Sequence, residues 1–424
     1  MAAAGADVFR VNCAHSKPPQ TREIIAQVRS AVPLAGVLVD IQGPKLRTGS
    51  RKLVFGDGET VRLVREDFNF DPYGLGVQAG EAIFLGDGTV HLEVSDIGPE
   101  GVLVRVVRGG SCAPRRGVNL PDTSFSVNEG IFGVKDMEDM VVAREAGVDW
   151  IALSFVGAPG DVLAARAIAG SIPLIAKIER RRALENLSAI GEVSDGLMVA
   201  RGDLGVEMPF ESVPFAQQRI ADWGASSGKV TICATEMLES MRTAPRPTRA
   251  EVSDVAIAVQ QGYAAVMLSA ETAVGRDPVG VVATMRSICD GNEAATGHKT
   301  YADNNPSLSA VAAAAAALAK RTDARAILAL TYTGFSAEIL SACRPPAHII
   351  AATPDTAAAR RLRLHWGVSP VVVPRNPDMV MSVDAAVAAS CASGLLASGD
   401  SIVVTASRTS PSTPSDTIWT YQVP

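Results

Sequence analysis

A lysine and a glutamate two residues apart, in Ile175-Ala-Lys177-Ile-Glu179, precede Met198-Val-Ala-Arg201-Gly202-Asp203-Leu-Gly205, so one cation and two carboxylates fall at consecutive strand ends. That set outlines a phosphoryl-transfer site. Residues 173–178 read as a buried strand, and side chains two apart on a strand share a face, so Lys177 and Glu179 point into one cavity. Asp203 joins them from the next strand. Two carboxylates suit Mg²⁺, which takes one or two from protein and completes its octahedron with water and phosphate oxygens. The lysine meets charge that the metal leaves uncovered. Taken alone, Lys177 with Glu179 reads equally well as a structural ion pair at the rim of a sheet. Neighbouring segments decide against that. The run Ile232-Cys-Ala-Thr235-Glu-Met-Leu-Glu-Ser-Met241, followed by Pro245-Arg-Pro-Thr-Arg-Ala-Glu251 and Val266-Met-Leu-Ser269-Ala-Glu271-Thr272, adds two more strand ends bearing hydroxyls and carboxylates.

The elements that must hold these groups repeat along the chain. Apolar strand-like runs at 148–155, 173–179, 196–200, 229–234 and 264–268 alternate with helical stretches, and similar runs at 7–11 and 36–40 come before them. Such alternation implies parallel strands with helical crossovers. These are seven; a closed (β/α)₈ TIM barrel has eight, with its site at the C-terminal strand ends, where every motif above falls. Between Arg47 and Arg116 the texture changes to short β runs at 61–64, 82–85, 90–94 and 102–107, separated by glycine and aspartate turns, which marks an inserted all-β unit. After a polar linker at 302–307 comes a further α/β unit with strands at 326–330, 348–352, 371–373 and 401–405. The expected division is a barrel at 1–47 and 120–300, an inserted β domain at 48–119 and a C-terminal α/β domain at 307–424.

Composition bounds the possibilities. At 424 residues the chain needs two or three domains, and 47% hydrophobic with 20% charged residues is the balance of a folded protein. A net charge of −6 argues against nucleic acid or an anionic membrane as partner. The six cysteines, at 13, 112, 233, 289, 343 and 391, contain no Cys-x-x-Cys pair, and no secretory leader is seen, so reduced thiols in the cytoplasm are expected. Cys13 and Cys233 lie near the site but have no base beside them and read as small buried hydrophobes. The alanine-rich run 308–319 is too short for a bilayer span and reads as a packed helix. Trp366 and Trp419 read as packing anchors.

The chain resembles the pyruvate kinase family. The likeness rests on Val8-Phe-Arg10-Val-Asn12-Cys-Ala14-His15, Asp40-Ile-Gln-Gly43-Pro44-Lys45-Leu-Arg47, Gly117-Val-Asn119-Leu-Pro121 and the segments above, and it covers essentially the whole length. It implies transfer of the phosphoryl group of phosphoenolpyruvate to ADP, giving ATP and an enolate that is protonated to pyruvate, in glycolysis. By the same resemblance Lys177 stabilises the transferring group, Glu179 and Asp203 hold Mg²⁺ or Mn²⁺, and Arg10 binds the substrate phosphate. The backbone amides of Gly202 and Asp203 receive the substrate carboxylate. Thr235, with Ser269 and Glu271 behind it, positions a water or relays the proton, since a threonine is too weak an acid to act alone. Asn12, His15, Arg47 and Arg116 match nucleotide-side positions. The β insertion corresponds to a mobile lid, the C-terminal unit to a regulatory domain, and the assembly to a homotetramer.

Three departures carry expectations of their own. Ala14 stands where the family has a K⁺-binding serine, and Lys45 where it has a glutamate, so a fixed ammonium supplies the charge of the monovalent ion and K⁺-independent activity is expected, with Asp40 as partner of Lys45. Phe335, in Thr331-Tyr-Thr333-Gly334-Phe335-Ser336, replaces a basic residue of the family's phosphate-binding turn, which makes sugar-bisphosphate activation doubtful. The chain opens near the end of the family's first helix, without its first strand, so an upstream start, or a partner or rearrangement filling the gap, is expected. Two alternatives follow: a non-catalytic or impaired metabolite-binding homologue, and a Mg²⁺-dependent aldolase working through a pyruvate enolate, which gives no reason for the lid and the C-terminal unit.

Overall fold

Short runs dominated by Val, Ile, Leu and Ala, with charged residues only at a few positions, suit strands covered on both faces, and the largest sheet has that character. The structure, a computed structural model, describes residues 1–43, 45–86, 88–123, 132–296, 310–408 and 415–424. Seven strands, Val8–Asn12, Gly36–Ile41, Trp150–Leu153, Leu174–Ile178, Gly196–Ala200, Val230–Ala234 and Ala265–Val266, lie side by side in chain order. Every neighbouring pair is parallel. Among the described residues the first and last strands are not hydrogen-bonded to each other. Ahead of the first strand, Gly5 rests against the aliphatic part of Arg286 on helix Pro278–Thr296.

Alternation along these strands sorts their side chains into two cores. Val37, Val39, Ile151, Leu153, Leu174, Ala176 and Val199 face the surrounding helices, meeting Met140, Val162, Ile190, Ile220 and Val255. Leu38, Trp150, Ala152, Ile175, Met198, Val230 and Ile232 face inward. Register keeps the inner set in rows, with Ala152 opposite both Asp40 and Ile175, and Met198 opposite both Lys177 and Ile232. The inner core is closed at the N-terminal end of the strands by Leu364, a residue of the C-terminal unit. Nearby, Trp150 Nε1 donates to the Arg361 carbonyl at 3.2 Å, and Asp149 accepts from Arg29 at 2.6 Å and Arg360 at 3.1 Å.

The inserted β unit is antiparallel. Thr60–Leu63, Ala82–Leu85, Val90–Gly98, Gly101–Arg108 and Val118–Asn119 form one sheet, and Leu53–Phe55 pairs with Gly110–Cys112. It has its own core around Leu63, Ile83, Leu85, Leu92 and Val104. The C-terminal sheet runs Val368–Val372, His348–Thr353, Ala326–Leu330, Ser401–Ala406, Thr417–Gln422. Its last strand, antiparallel and absent from the sequence reading, covers one edge of the parallel set. The alanine-rich helix is seen as Ala310–Thr322, with Ala312, Ala315, Ala316 and Ala319 turned inward. The expected linker at 302–307 lies outside the described residues. Trp366 is an anchor as expected, its Nε1 donating to Glu293 at 2.7 Å while the Arg344 guanidinium lies 4.7 Å from its ring centre. Among the described residues no helix is long and apolar enough to cross a membrane.

Because Leu364 belongs to one unit and fills the core of another, its truncation reports on their union. Leu364→Ala is expected to destabilise the chain by about 2–5 kcal/mol, and Leu163→Ala, at an exposed position, by little. Thermal unfolding of the two variants checks this.

Candidate active site

The inner face carries apolar side chains until the C-terminal ends of the strands, where charge replaces them. Lys177 Nζ lies 2.7 Å from Glu179 Oε1 and 3.3 Å from Asp40 Oδ1, and donates to Ser154 Oγ at 2.9 Å. Ser154 donates in turn to Asp40 Oδ1 at 3.2 Å, while Arg10 donates through Nε to Asp40 Oδ2 at 2.7 Å. Four successive strands thus contribute Arg10, Asp40, Ser154 and the Lys177–Glu179 pair to one network. Burial would push the Asp40 carboxyl upward, but Lys177 and Arg10 outweigh it and hold the group below the ordinary carboxylate range. Burial likewise opposes the charged form of Lys177, and the carboxylates of Asp40 and Glu179 reverse the effect, so the ammonium stays protonated.

Glu179 is fully buried and its carboxyl is raised, first by burial and further by the charge of Asp203, with Lys177 opposing. Its Oε2 accepts the Phe155 amide at 2.8 Å. Its Oε1 has only the ion contact with Lys177 and no donor in hydrogen-bonding geometry. A buried carboxylate oxygen left in this way, beside a second carboxylate that repels it, fits a cation. Among the described residues no group of three or more His, Cys, Asp or Glu gathers to hold a metal. An ion that keeps most of its shell for water and phosphate asks for only one or two carboxylates from the protein.

Thr235 follows the strand Val230–Ala234 in a turn with positive φ at both Thr235 and Glu236, +67° and +54°. That conformation is costly for residues other than glycine and needs support from its surroundings. Arg201, which is buried, supplies it. Its guanidinium donates to the Thr235 carbonyl at 2.6 Å and the Glu236 carbonyl at 3.0 Å, and it pairs with Asp254. Thr235 Oγ1 accepts the Gly202 amide at 2.9 Å and donates to the Ala234 carbonyl at 2.7 Å. One of the two amides expected for the substrate carboxylate is thus engaged by Thr235 here. Glu271 is buried and accepts the amides of Ser269 at 2.7 Å and Leu238 at 3.2 Å. Ser269 Oγ is buried with no hydrogen-bond partner among the described residues.

The residues read as nucleotide-side are more dispersed. Asn12 caps the turn Cys13–His15 through the Ala14 amide at 3.0 Å, and His15 is exposed. Arg47 and Arg116 stand where the β unit joins the barrel: Arg47 bridges to Gly117 and donates to the Arg115 carbonyl at 3.0 Å, and the Arg116 amide donates to Thr48.

Asp40 is not the partner of Lys45. Both its oxygens are engaged by Arg10, Lys177 and Ser154, and beyond Ile41 the chain turns at Gly43, φ +68°, which swings Lys45 away from the inner face. Lys45 Nζ lies 3.8 Å from Asp203 Oδ1 and 5.8 Å from the Phe155 ring centre. Ser154, Phe155 and the clamp made by Arg201 escaped the sequence reading. The first two follow strand Trp150–Leu153, so their strand-end position was the available signal. Cys13 and Cys233 are buried, and burial pushes both thiols up to about 12, in keeping with packing roles. Replacing Arg201 by Met leaves two carbonyls and Asp254 without their cation. Arg201→Met is expected to lower the denaturation midpoint sharply, by about 3–5 kcal/mol of stability.

Two family descriptions match the chain: "Pyruvate kinase, barrel domain" over residues 1–282 and "Pyruvate kinase, alpha/beta domain" over residues 309–418. A protein named pyruvate kinase from Methylorubrum extorquens is 41% identical over 399 residues, covering 89% of this chain and 83% of its own. Pyruvate kinase 2 of Synechocystis sp. is 38% identical over 436 residues, covering 95% and 72%. The pyruvate kinase of Agrobacterium vitis is 38% identical over 435 residues, covering 95% and 89%. With an ammonium, two carboxylates and a guanidinium gathered at the strand ends, and with both family descriptions spread along its length, the chain belongs to the pyruvate kinase family.

Proposed function

We propose that the chain transfers the phosphoryl group of phosphoenolpyruvate to ADP, yielding ATP and pyruvate, as a glycolytic enzyme. The observation that carries this reading is the buried network in which Lys177 remains charged between Asp40 and Glu179 while Glu179 Oε1 has the Lys177 ammonium as its one ion contact among the described residues. Glu179 and Asp203 would hold Mg²⁺ or Mn²⁺, which would supply positive charge to neutralise that of the phosphate. Lys177 and Arg10 present fixed positive charge to the phosphoryl group, so no solvent has to reorganise as charge shifts. Asp40 orients both cations. The Thr235 hydroxyl, anchored on Ala234 and Gly202, positions a water or passes a proton to the enolate, and Ser269 with its uncommitted hydroxyl stands as the next relay. Asn12, His15, Arg47 and Arg116 serve the nucleotide.

Lys45 beside Asp203 supports K⁺-independent activity, since it places a permanent monovalent charge next to a metal-binding carboxylate. In the C-terminal unit the Gly334 amide donates to Thr331 Oγ1 at 3.1 Å and the half-exposed Phe335 brings no charge to the turn, where the guanidinium groups of Arg361, 3.5 Å from the Thr333 carbonyl, and Arg375, 5.2 Å from the Tyr332 ring centre, are the nearby cations. A cytoplasmic homotetramer is the assembly this reading carries.

Pyruvate formation coupled to NADH oxidation tests the function. ADP-dependent signal is expected; ADP-independent cleavage would indicate an enolate aldolase, and silence with retained phosphoenolpyruvate binding a non-catalytic homologue. Lys177→Met is expected to lower kcat about 10²–10³-fold, the loss typical of one preorganised charge donor, with folding followed by circular dichroism. Turnover at equal ionic strength should be comparable in Na⁺ and K⁺ buffers, and a strong K⁺ requirement would reject the role given to Lys45.

A further inference from the structure

One short helix, Arg201–Glu207, touches both connections between the barrel and the β unit. Asp203 and Glu207 are four residues apart, so they lie on the same face of this helix. Asp203 faces Lys45, on the segment leaving the barrel, at 3.8 Å. Glu207 Oε1 accepts from Asn119 Nδ2, on the strand returning from the β unit, at 2.9 Å. Glu207 is buried, and burial raises its carboxyl while the Asn119 hydrogen bond opposes the rise. Four further contacts reinforce the junction. Arg181 reaches the Glu207 carbonyl at 3.4 Å and Asp122 at 3.2 Å, and Asp122 accepts the amide of Ala82 at 3.1 Å. Gly88, in the turn between Leu85 and Val90, packs against Val206, where an added Cβ would lie 3.4 Å from its side chain.

We infer that Glu207 is a positioning residue that latches the β unit onto the barrel through Asn119 and thereby couples the placement of that unit to Asp203. The inference rests on the proposed phosphotransferase reading, since it is there that Asp203 binds a cation. The physical basis is the rigidity of the helix. Asp203 and Glu207 are joined by one turn of hydrogen-bonded backbone, so a shift of the β unit that pulls on Glu207 displaces Asp203 as well. Its converse also holds: a cation held by Asp203 favours the latched arrangement.

A double-mutant cycle tests it. Glu207→Ala and Asn119→Ala should each raise the Mg²⁺ concentration needed for half-maximal turnover, by about tenfold, the size of one hydrogen bond to a charged group. The double variant should be no worse than either single one. Glu207→Gln, which keeps an acceptor for Asn119, should recover most of the loss. Additive losses, or a Mg²⁺ requirement unchanged while only the thermal midpoint falls, would overturn the inference. Hydrogen exchange needs no turnover. Amides of Ala82–Leu85 and Val118–Asn119 should exchange faster in Glu207→Ala than in the parent chain, and unchanged protection would also overturn the latch. A parent chain without ADP-dependent turnover but with that difference in exchange would instead count against the phosphotransferase reading and leave the latch standing.

Discussion

One cation and two carboxylates have been taken out of water on the inner face of one sheet, with a second, half-buried cation beside them, and they are tolerable there only because each is within reach of the other sign. Arg10 and Lys177 balance Asp40 and Glu179, and Ser154 ties the acid of one strand to the base of another. Removing water strengthens every one of these attractions, and the same removal makes an unbalanced member expensive. The network therefore constrains its own scaffold: the strands must keep their register, since a slip of one residue would send Asp40 or Lys177 to the helix-facing side. Parallel pairing along the entire sheet holds that register.

A second layer of order keeps the mouth of the site in shape. The Thr235 turn adopts a left-handed conformation that two non-glycine residues would not choose alone, and Arg201 gathers their carbonyls. Arg201 begins the helix that also bears Asp203 and ends at Glu207. Site, turn and β unit are thus connected through seven residues, by a few polar contacts and the packing of Gly88 on Val206 rather than by a broad apolar surface.

Much of this could be read from residue order. Apolar runs at 173–179, 196–200 and 229–234 became strands within a residue or so of the expected limits, because a strand buried on both faces has a pattern that no surface element shares. Spacing alone put Lys177 and Glu179 on one side. The antiparallel strand Thr417–Gln422 was not legible, since its residues are mostly half exposed and its alternation is weak. Leu364 gave no sign that it would enter the core of another unit.

The residue types at strand ends and their period-two spacing determined by themselves which side chains share a face, and through the family motifs which chemistry they serve. Which charges pair was decided only by the folded chain. Asp40 met Lys177 and Arg10, not Lys45, because a left-handed turn at Gly43 carries the lysine off the inner face and over Phe155. Pairing across strands depends on register, curvature and the path of loops, quantities that arise from contacts between residues far apart in sequence, and local order carries no record of them.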